Sequence, residues 1–325
     1  MYGNLIKIAA VLTFGIVVLG AFVRLSDAGL GCPDWPGCYG HVTVPDEAHE
    51  LASAQAKFPH QPVEARKGWI EMIHRYFAST LGVLIIAIAA MSWRRRAVQP
   101  LGLPLFLVGL VVFQGLLGMW TVTLRLYPAV VTAHLIGGMT TLALLTWLHM
   151  QQYRPPIASA RPHPMSRMAR LALAVLAIQI ALGGWVSANY AALACTDFPQ
   201  CHGTWSPVAD YANGFYPLRE LGRTAAGELL RQDALTAIHW VHRIGALVTF
   251  IIVGYVGYRL LRSERLKGFG VALLGAVALQ IALGVANVLL SLPLPLAVAH
   301  NAGAALLLVI LVAVNYRLHK NNQPV

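Results

Sequence analysis

The chain has 325 residues, of which 57% are hydrophobic and 11% charged, and its mean hydropathy is +0.62. This composition excludes a soluble globular domain and is typical of a protein that crosses the membrane several times. The net charge of +11 does not indicate nucleic-acid binding, because the basic residues cluster at one end of the apolar segments.

Eight apolar segments are each close to the roughly 20 residues that a helix needs to cross a ~30 Å hydrocarbon layer. The first begins near Met1 without a small-residue cleavage site or a transit segment, so we expect a retained helix in a bacterial cytoplasmic membrane. The sequence therefore predicts an all-α, multi-pass protein surrounded by lipid. The segments lie at 4–24, 69–92, 101–123, 129–150, 167–188, 234–259, 268–291 and 296–316.

Basic residues follow the second, fourth, sixth and eighth segments, which would all end on the same side of the membrane. The positive-inside rule makes that side cytoplasmic and places both termini there. These residues are Arg94, Arg95, Arg96, Arg154, Arg161, Arg167, Arg170, Arg259, Arg262, Arg265, Lys267, Arg317 and Lys320.

The four cysteines fall in loops on the opposite, outer side, as two pairs with the same spacing. Cys32 and Cys38 lie in the first outer loop, and Cys195 and Cys201 in the third. An oxidising exterior permits disulfides, and four cysteines allow three pairings. The repeated spacing favours Cys32–Cys38 and Cys195–Cys201. A structural role and a redox role for these pairs are equally open.

The two halves of the chain repeat each other. The second cysteine pair follows the first by 163 positions, and the segment that begins at Gln280 follows the one at Gln114 by 166. Four spans in each half give both halves the same orientation, so the repeats are parallel. We therefore expect two pseudo-symmetric four-helix bundles, 1–150 and 167–325, joined by a cytoplasmic linker at 151–166.

Four histidines stand inside the apolar segments and follow the same repeat. His74 and His242 are 168 positions apart, and His134 and His300 are 166 apart. An ionisable side chain at membrane depth is costly and indicates function. At 1.5 Å per residue, His74 and His134 both lie about 9 Å below the outer boundary. We expect each pair on neighbouring parallel helices, where two imidazoles can bind one heme iron.

A histidine hydrogen-bonded between helices is the alternative explanation, and it would suffice for a single residue. The halves also differ at one position, because Glu71 precedes His74 by three residues where His239 precedes His242. A carboxyl group beside a porphyrin could relay protons or stabilise positive charge, or it could simply pair with Arg75. The difference indicates that one half carries out chemistry while the other holds a more inert heme.

Arg75 and Arg243 each follow one of these histidines directly. They are candidate partners for heme propionates, and helix-end anchoring is the alternative.

Together, these motifs resemble the heme A synthase family over essentially the whole chain. The resemblance rests on the Glu-Met-Ile-His-Arg motif at 71–75, the Ala-His-Leu-Ile-Gly-Gly segment around His134, the Cys32/Cys38 pair, His242 with Arg243, and Ala299 with His300. It implies an eight-helix oxidoreductase that converts heme O into heme A through hydroxylated intermediates, for use in heme-copper terminal oxidases.

The resemblance also implies roles for individual residues. His74 and His134 would hold the substrate heme O, His242 and His300 would bind a heme b cofactor, and Glu71 would be the catalytic carboxylate. Heme O synthase, oxidase assembly factors and a second copy of the chain are the expected partners. The alternatives are a diheme b-type electron carrier with the same ligands, and a membrane thiol oxidoreductase that uses the cysteine pairs.

Overall fold

The computed structural model describes residues 1–153 and 164–320 of the chain. Eight helices in this part are long and apolar enough to cross a membrane, which confirms the predicted all-α, multi-pass fold. Two short helices in the outer loops, α2 and α7, were not predicted. The helices are α1 (Tyr2–Leu25), α2 (Ala48–Lys57), α3 (Ala65–Arg94), α4 (Gly102–Thr123), α5 (Pro128–Tyr153), α6 (Ser166–Ala188), α7 (Tyr211–Gly214), α8 (Gln232–Leu261), α9 (Lys267–Leu289) and α10 (Leu294–Lys320).

Helices α3 and α8 are longer than their predicted spans, since each has 30 residues. Their first turns are polar, so hydropathy alone placed the start of α3 four residues too late and that of α8 two residues too late. The outer loop packs tightly on this added turn of α3. A Cβ at Gly31 would lie 2.5 Å from the carbonyl carbon of Lys67, so the close approach requires glycine. The added first turn of α3 thus anchors the first outer loop to the second span.

The spans of each half contact one another in a closed ring. In the first half α1 contacts α3 and α5, and α4 contacts the same two helices. In the second half α6 and α9 each contact α8 and α10. The halves meet where α5 packs against α6 and α10, and where α1 packs against α10. The division of the chain into two separate four-helix bundles stays a prediction.

Apolar packing is concentrated at the ends of the spans away from the disulfide loops. One buried cluster joins the first-half helices and includes Ile6, Ile85 and Leu148. A larger one joins α1 and α5 to the second half and includes Leu260 and Leu311. Smaller clusters lie under the outer loops. The four membrane histidines lie between these two levels.

Arg24 connects the halves at the outer side. Its Nη2 donates to the carbonyl oxygen of Ser187 at 2.7 Å, and its guanidinium lies 3.9 Å from the ring centroid of Tyr190. Tyr190 in turn donates its hydroxyl to Asp27 at 3.1 Å. Ser187 and Tyr190 follow Arg24 and Asp27 by 163 positions, the offset of the cysteine pairs, so equivalent positions of the two halves meet here.

Part of the predicted linker, 154–163, lies outside the described residues, together with Arg154 and Arg161. The domain boundary and the orientation of the termini therefore stay predictions.

We predict that Asn315→Ala lowers the free energy of unfolding by about 1 kcal/mol, since hydrogen bonds between transmembrane helices contribute about 0.6–1.7 kcal/mol. Buried Asn315 donates from Nδ2 to the carbonyl oxygen of Ala169 on α6 at 3.0 Å. Unfolding in mixed micelles measures the change. Leu306→Ala, which alters an exposed side chain of the same helix, is the control. Equal effects of the two substitutions would contradict the prediction.

Candidate functional site

The four membrane histidines lie near the loop-side ends of their helices. His74 and His134 belong to α3 and α5, and His242 and His300 to α8 and α10. Because α3 and α5 both contact α1 and α4, they occupy opposite corners of their ring, and α8 and α10 do the same between α6 and α9. The expectation of neighbouring helices is therefore wrong. Adjacent helices of an up-and-down ring are antiparallel, so parallel helices lie on its diagonals.

Each histidine lies against an adjacent helix of its own helix ring. His74 lies against Gly20 on α1, and His242 against Gly183 on α6. Nδ1 is buried without a hydrogen-bond partner in His74, His134 and His300. A buried polar nitrogen without a partner is costly, and an imidazole nitrogen is a ligand for heme iron. The donor chemistry therefore fits one heme between each pair.

Glutamine amides lie against both second-half histidines. Gln179 Nε2 lies 3.0 Å from His242 Nδ1 and donates to the His242 carbonyl oxygen at 3.0 Å. Gln280 Nε2 lies 3.3 Å from His300 Nε2 and donates to the His300 carbonyl oxygen at 2.9 Å. These contacts restrain the two rings. The sequence interpretation used Gln280 only as a marker of the repeat and missed Gln179, although an amide at membrane depth was a usable signal.

Glu71 is buried, and both of its oxygens have partners. Oε1 accepts from Arg75 Nη2 at 2.6 Å, and Oε2 accepts from the backbone N–H of Cys32 at 2.9 Å. Arg75 Nη1 donates to the carbonyl oxygens of Asp34 at 3.0 Å and Gly37 at 2.5 Å. The carboxylate is thus held in place between the second span and the first disulfide loop.

His239 makes the corresponding contacts in the second half. Its Nδ1 accepts from the backbone N–H of Cys195 at 3.3 Å, and its Nε2 faces Arg243 Nε at 3.2 Å. Arg243 also donates to the carbonyl oxygens of Cys195 at 2.8 Å and Gln200 at 2.7 Å. The second half therefore keeps the arginine and its loop contacts but has no carboxylate at this position.

The outer loops are close structural copies. Disulfides join Cys32 to Cys38 and Cys195 to Cys201, the pairing that the repeated spacing favoured. All four cysteines are fully buried. In the second of these loops Asp197 accepts from the backbone N–H groups of Gly203 and His202, both at 2.8 Å. These hydrogen bonds, with the one from Gly203 the largest cause, lower the pKa of Asp197.

Arg75 and Arg243 thus anchor loops in this structure, a role that neither propionate binding nor helix-end anchoring had predicted. Their guanidinium groups donate mainly to backbone carbonyls, a kind of partner that the residue spacing does not reveal. The structure brings Glu71 together with Arg75 and the first disulfide loop, and His239 with the second disulfide loop. Whether heme propionates also reach these arginines stays a prediction.

The chain is similar to known proteins over nearly its whole length. Residues 4–312 match the family model described as Cytochrome oxidase assembly protein. A heme A synthase of Shewanella oneidensis is 46% identical over 322 residues, which cover 98% of this chain and 97% of the relative. A heme A synthase of Rhizorhabdus wittichii is 28% identical, with 98% and 94% covered, and one of Arabidopsis thaliana is 26% identical, with 96% and 73% covered.

A helical membrane protein with two pairs of half-buried histidines inside its spans is a protein built to hold heme. The chain belongs to the heme A synthase family, a family of heme-modifying oxidoreductases.

We predict that Arg75→Gln releases the first disulfide loop and lowers the free energy of unfolding by about 3–5 kcal/mol, because it leaves Glu71 buried without its charged partner. The side chains of Arg75 and Glu71 are only 12% and 6% exposed. The rate at which a membrane-impermeant phosphine reduces the Cys32–Cys38 disulfide reports on release of the loop. Arg66→Gln, at an exposed position of the same helix, is the control. Equal rates in the two variants would contradict the prediction.

Proposed function

We propose that this chain oxidises a methyl group of heme O to the formyl group of heme A, through hydroxylated intermediates, to supply heme-copper terminal oxidases. The observation that carries this proposal is the pair of equivalent histidine sites, of which only the first has a buried carboxylate. The names and coverage of the relatives support the choice of substrate.

His74 and His134 are the proposed ligands of the substrate heme O. The unpartnered Nδ1 atoms of both rings support this assignment, because within the described part of the chain no protein group satisfies these nitrogens. His242 and His300 are the proposed ligands of heme b. Their glutamine partners Gln179 and Gln280 would hold these rings in a constant orientation.

The difference between Glu71 and His239 assigns chemistry to the first half. Glu71 is the proposed catalytic carboxylate, placed one helical turn from His74 on the same helix face. Its Oε1 is paired with Arg75, so a proton taken up during the reaction would reside on Oε2, whose partner is a neutral backbone N–H. The His239 imidazole at the matching position accepts from the Cys195 N–H, lies beside Arg243 and has no carboxylate charge to offer, which suits a cofactor that must stay unmodified.

Heme b, when bound, supplies one-electron transfer. The chain's own contribution is to hold two porphyrins in the same membrane layer and to exclude water with the outer loops. Loop residues lie over the outer ends of both helix rings. Arg75 holds them in the first half and Arg243 in the second, by donating to loop carbonyl oxygens. Arg75 and Arg243 are also the proposed contacts of the heme propionates, which would approach the guanidinium groups beside the loops.

The chain is a multi-pass membrane protein. We place it in the bacterial cytoplasmic membrane with both termini in the cytoplasm, as the positive-inside rule requires. Heme O synthase, oxidase assembly factors and a second copy of this chain are the proposed partners.

The burial of the four cysteines argues against a membrane thiol oxidoreductase. Their exposed fraction is 0% in every case, and exchange needs a thiolate to reach a disulfide sulfur. A diheme electron carrier would not need Glu71, and the relatives are named as enzymes. We therefore assign the cysteine pairs a structural role in holding the loops that position Glu71.

We predict that Glu71→Gln binds heme O and heme b but forms no heme A. Glutamine keeps an acceptor for the Cys32 N–H and lacks the group that takes up a proton, so binding and chemistry separate. Cells that also make heme O would express the variant, and chromatography of the extracted hemes would measure the products. Glu64→Gln, at an exposed position before α3, is the control.

Heme A at the control level from Glu71→Gln would remove Glu71 from the mechanism. Absence of hydroxylated and formyl hemes from the wild-type chain would refute the enzymatic function itself.

A further inference from the structure

Each of the four membrane histidines lies against a glycine on an adjacent helix. The ring atom nearest the glycine is always Cε1, the carbon between the two nitrogens. A Cβ placed on the glycine would lie 3.0 Å from Cε1 of His74 at Gly20, 3.5 Å from that of His134 at Gly118, 3.2 Å from that of His242 at Gly183, and 3.1 Å from that of His300 at Gly284.

These contacts follow the internal repeat. Gly183 follows Gly20 by 163 positions, and Gly284 follows Gly118 by 166. Other glycines of the same helices behave differently, because a Cβ at Gly15 on α1 would have no neighbour within 4 Å. The contact is therefore a property of the histidine layer and not of glycine-rich helices in general.

We propose that Gly20, Gly183 and Gly284 are positioning residues that set the planes of the axial imidazoles of His74, His242 and His300. The proposal rests on the proposed function, in which the four histidines bind heme iron. The χ2 torsion of histidine has a broad energy profile, so the plane of the ring must be set by its surroundings. The bare Cα of each glycine lies against the Cε1 edge of a ring, so a methyl group there would press on that edge and turn the ring.

The distances predict a graded response to alanine. Two carbon atoms prefer a separation of about 3.5–4.0 Å. A methyl group at Gly20, Gly183 or Gly284 would therefore push the ring by a few tenths of an ångström. At Gly118 the separation of 3.5 Å already suits a methyl group, so His134 would keep its orientation. A general loss of helix packing would not follow this order.

Two variants of α9 give a matched test at the heme b site. Gly284→Ala adds a methyl group beside His300, whereas Gly275→Ala adds one where no atom lies within 4 Å. Both replace a helix-interior glycine, so both gain roughly the same helix propensity. The readouts are heme b content and the electron paramagnetic resonance spectrum of the ferric protein. The g values of low-spin heme depend on the angle between the two imidazole planes.

We expect Gly284→Ala to shift the largest g value of heme b by more than the line width, or to lose heme b, while Gly275→Ala matches the wild type. Gly183→Ala adds a methyl group beside the other proposed heme b ligand, His242, and should shift the same signal. It gives an independent result if Gly284→Ala does not fold. In the protein isolated with heme O, Gly20→Ala should shift the substrate-heme signal and Gly118→Ala should leave it unchanged.

Wild-type spectra and full heme b content in both Gly284→Ala and Gly183→Ala would overturn the proposal. Equal shifts in Gly275→Ala and Gly284→Ala would overturn it as well. A wild-type protein without a low-spin heme signal would instead refute the ligand assignment under the proposed function, so the two failures are distinguishable.

Discussion

The free-energy cost of placing four imidazoles inside a membrane constrains the whole structure. A polar ring in hydrocarbon must find a partner, and three of the four histidines have a buried Nδ1 that no protein group satisfies in the described part of the chain. Iron is the partner that would use these nitrogens. The helix order places the two imidazoles of each pair on helices at opposite corners of their helix ring. Apolar clusters fill the ends of the spans on one side of the histidines, and the disulfide loops lie on the other side.

The outer loops contact the same helices next to the membrane histidines. In both halves an arginine one position after a ligand histidine donates to loop carbonyls, and in both halves the residue three before the histidine accepts from a cysteine N–H. The two halves thus share one mechanical design. The halves differ at this residue, the Glu71 carboxylate against the His239 imidazole, and under the proposed function this difference divides the work between a reacting heme and a heme that transfers electrons.

Much of this arrangement could be predicted from the sequence, because hydropathy identifies spans and a constant offset identifies equivalent residues. Glu71 and the four histidines were found in this way. The diagonal placement of α3 and α5 was missed, since a repeat gives depth but not the order of helices around a ring. The loop-anchoring role of Arg75 was also missed as the main role, because backbone carbonyls carry no sequence signal. Gln179 has no equivalent amide in the first half, so the repeat could not point to it.

The most direct test is the heme content and spin state of purified His300→Ala beside His49→Ala, whose histidine is exposed in the first outer loop. If His242 and His300 clasp one iron, His300→Ala loses heme b or converts it to a high-spin form, while His49→Ala keeps the low-spin wild-type spectrum. An unchanged low-spin heme b in His300→Ala would contradict the ligand assignment on which the account depends.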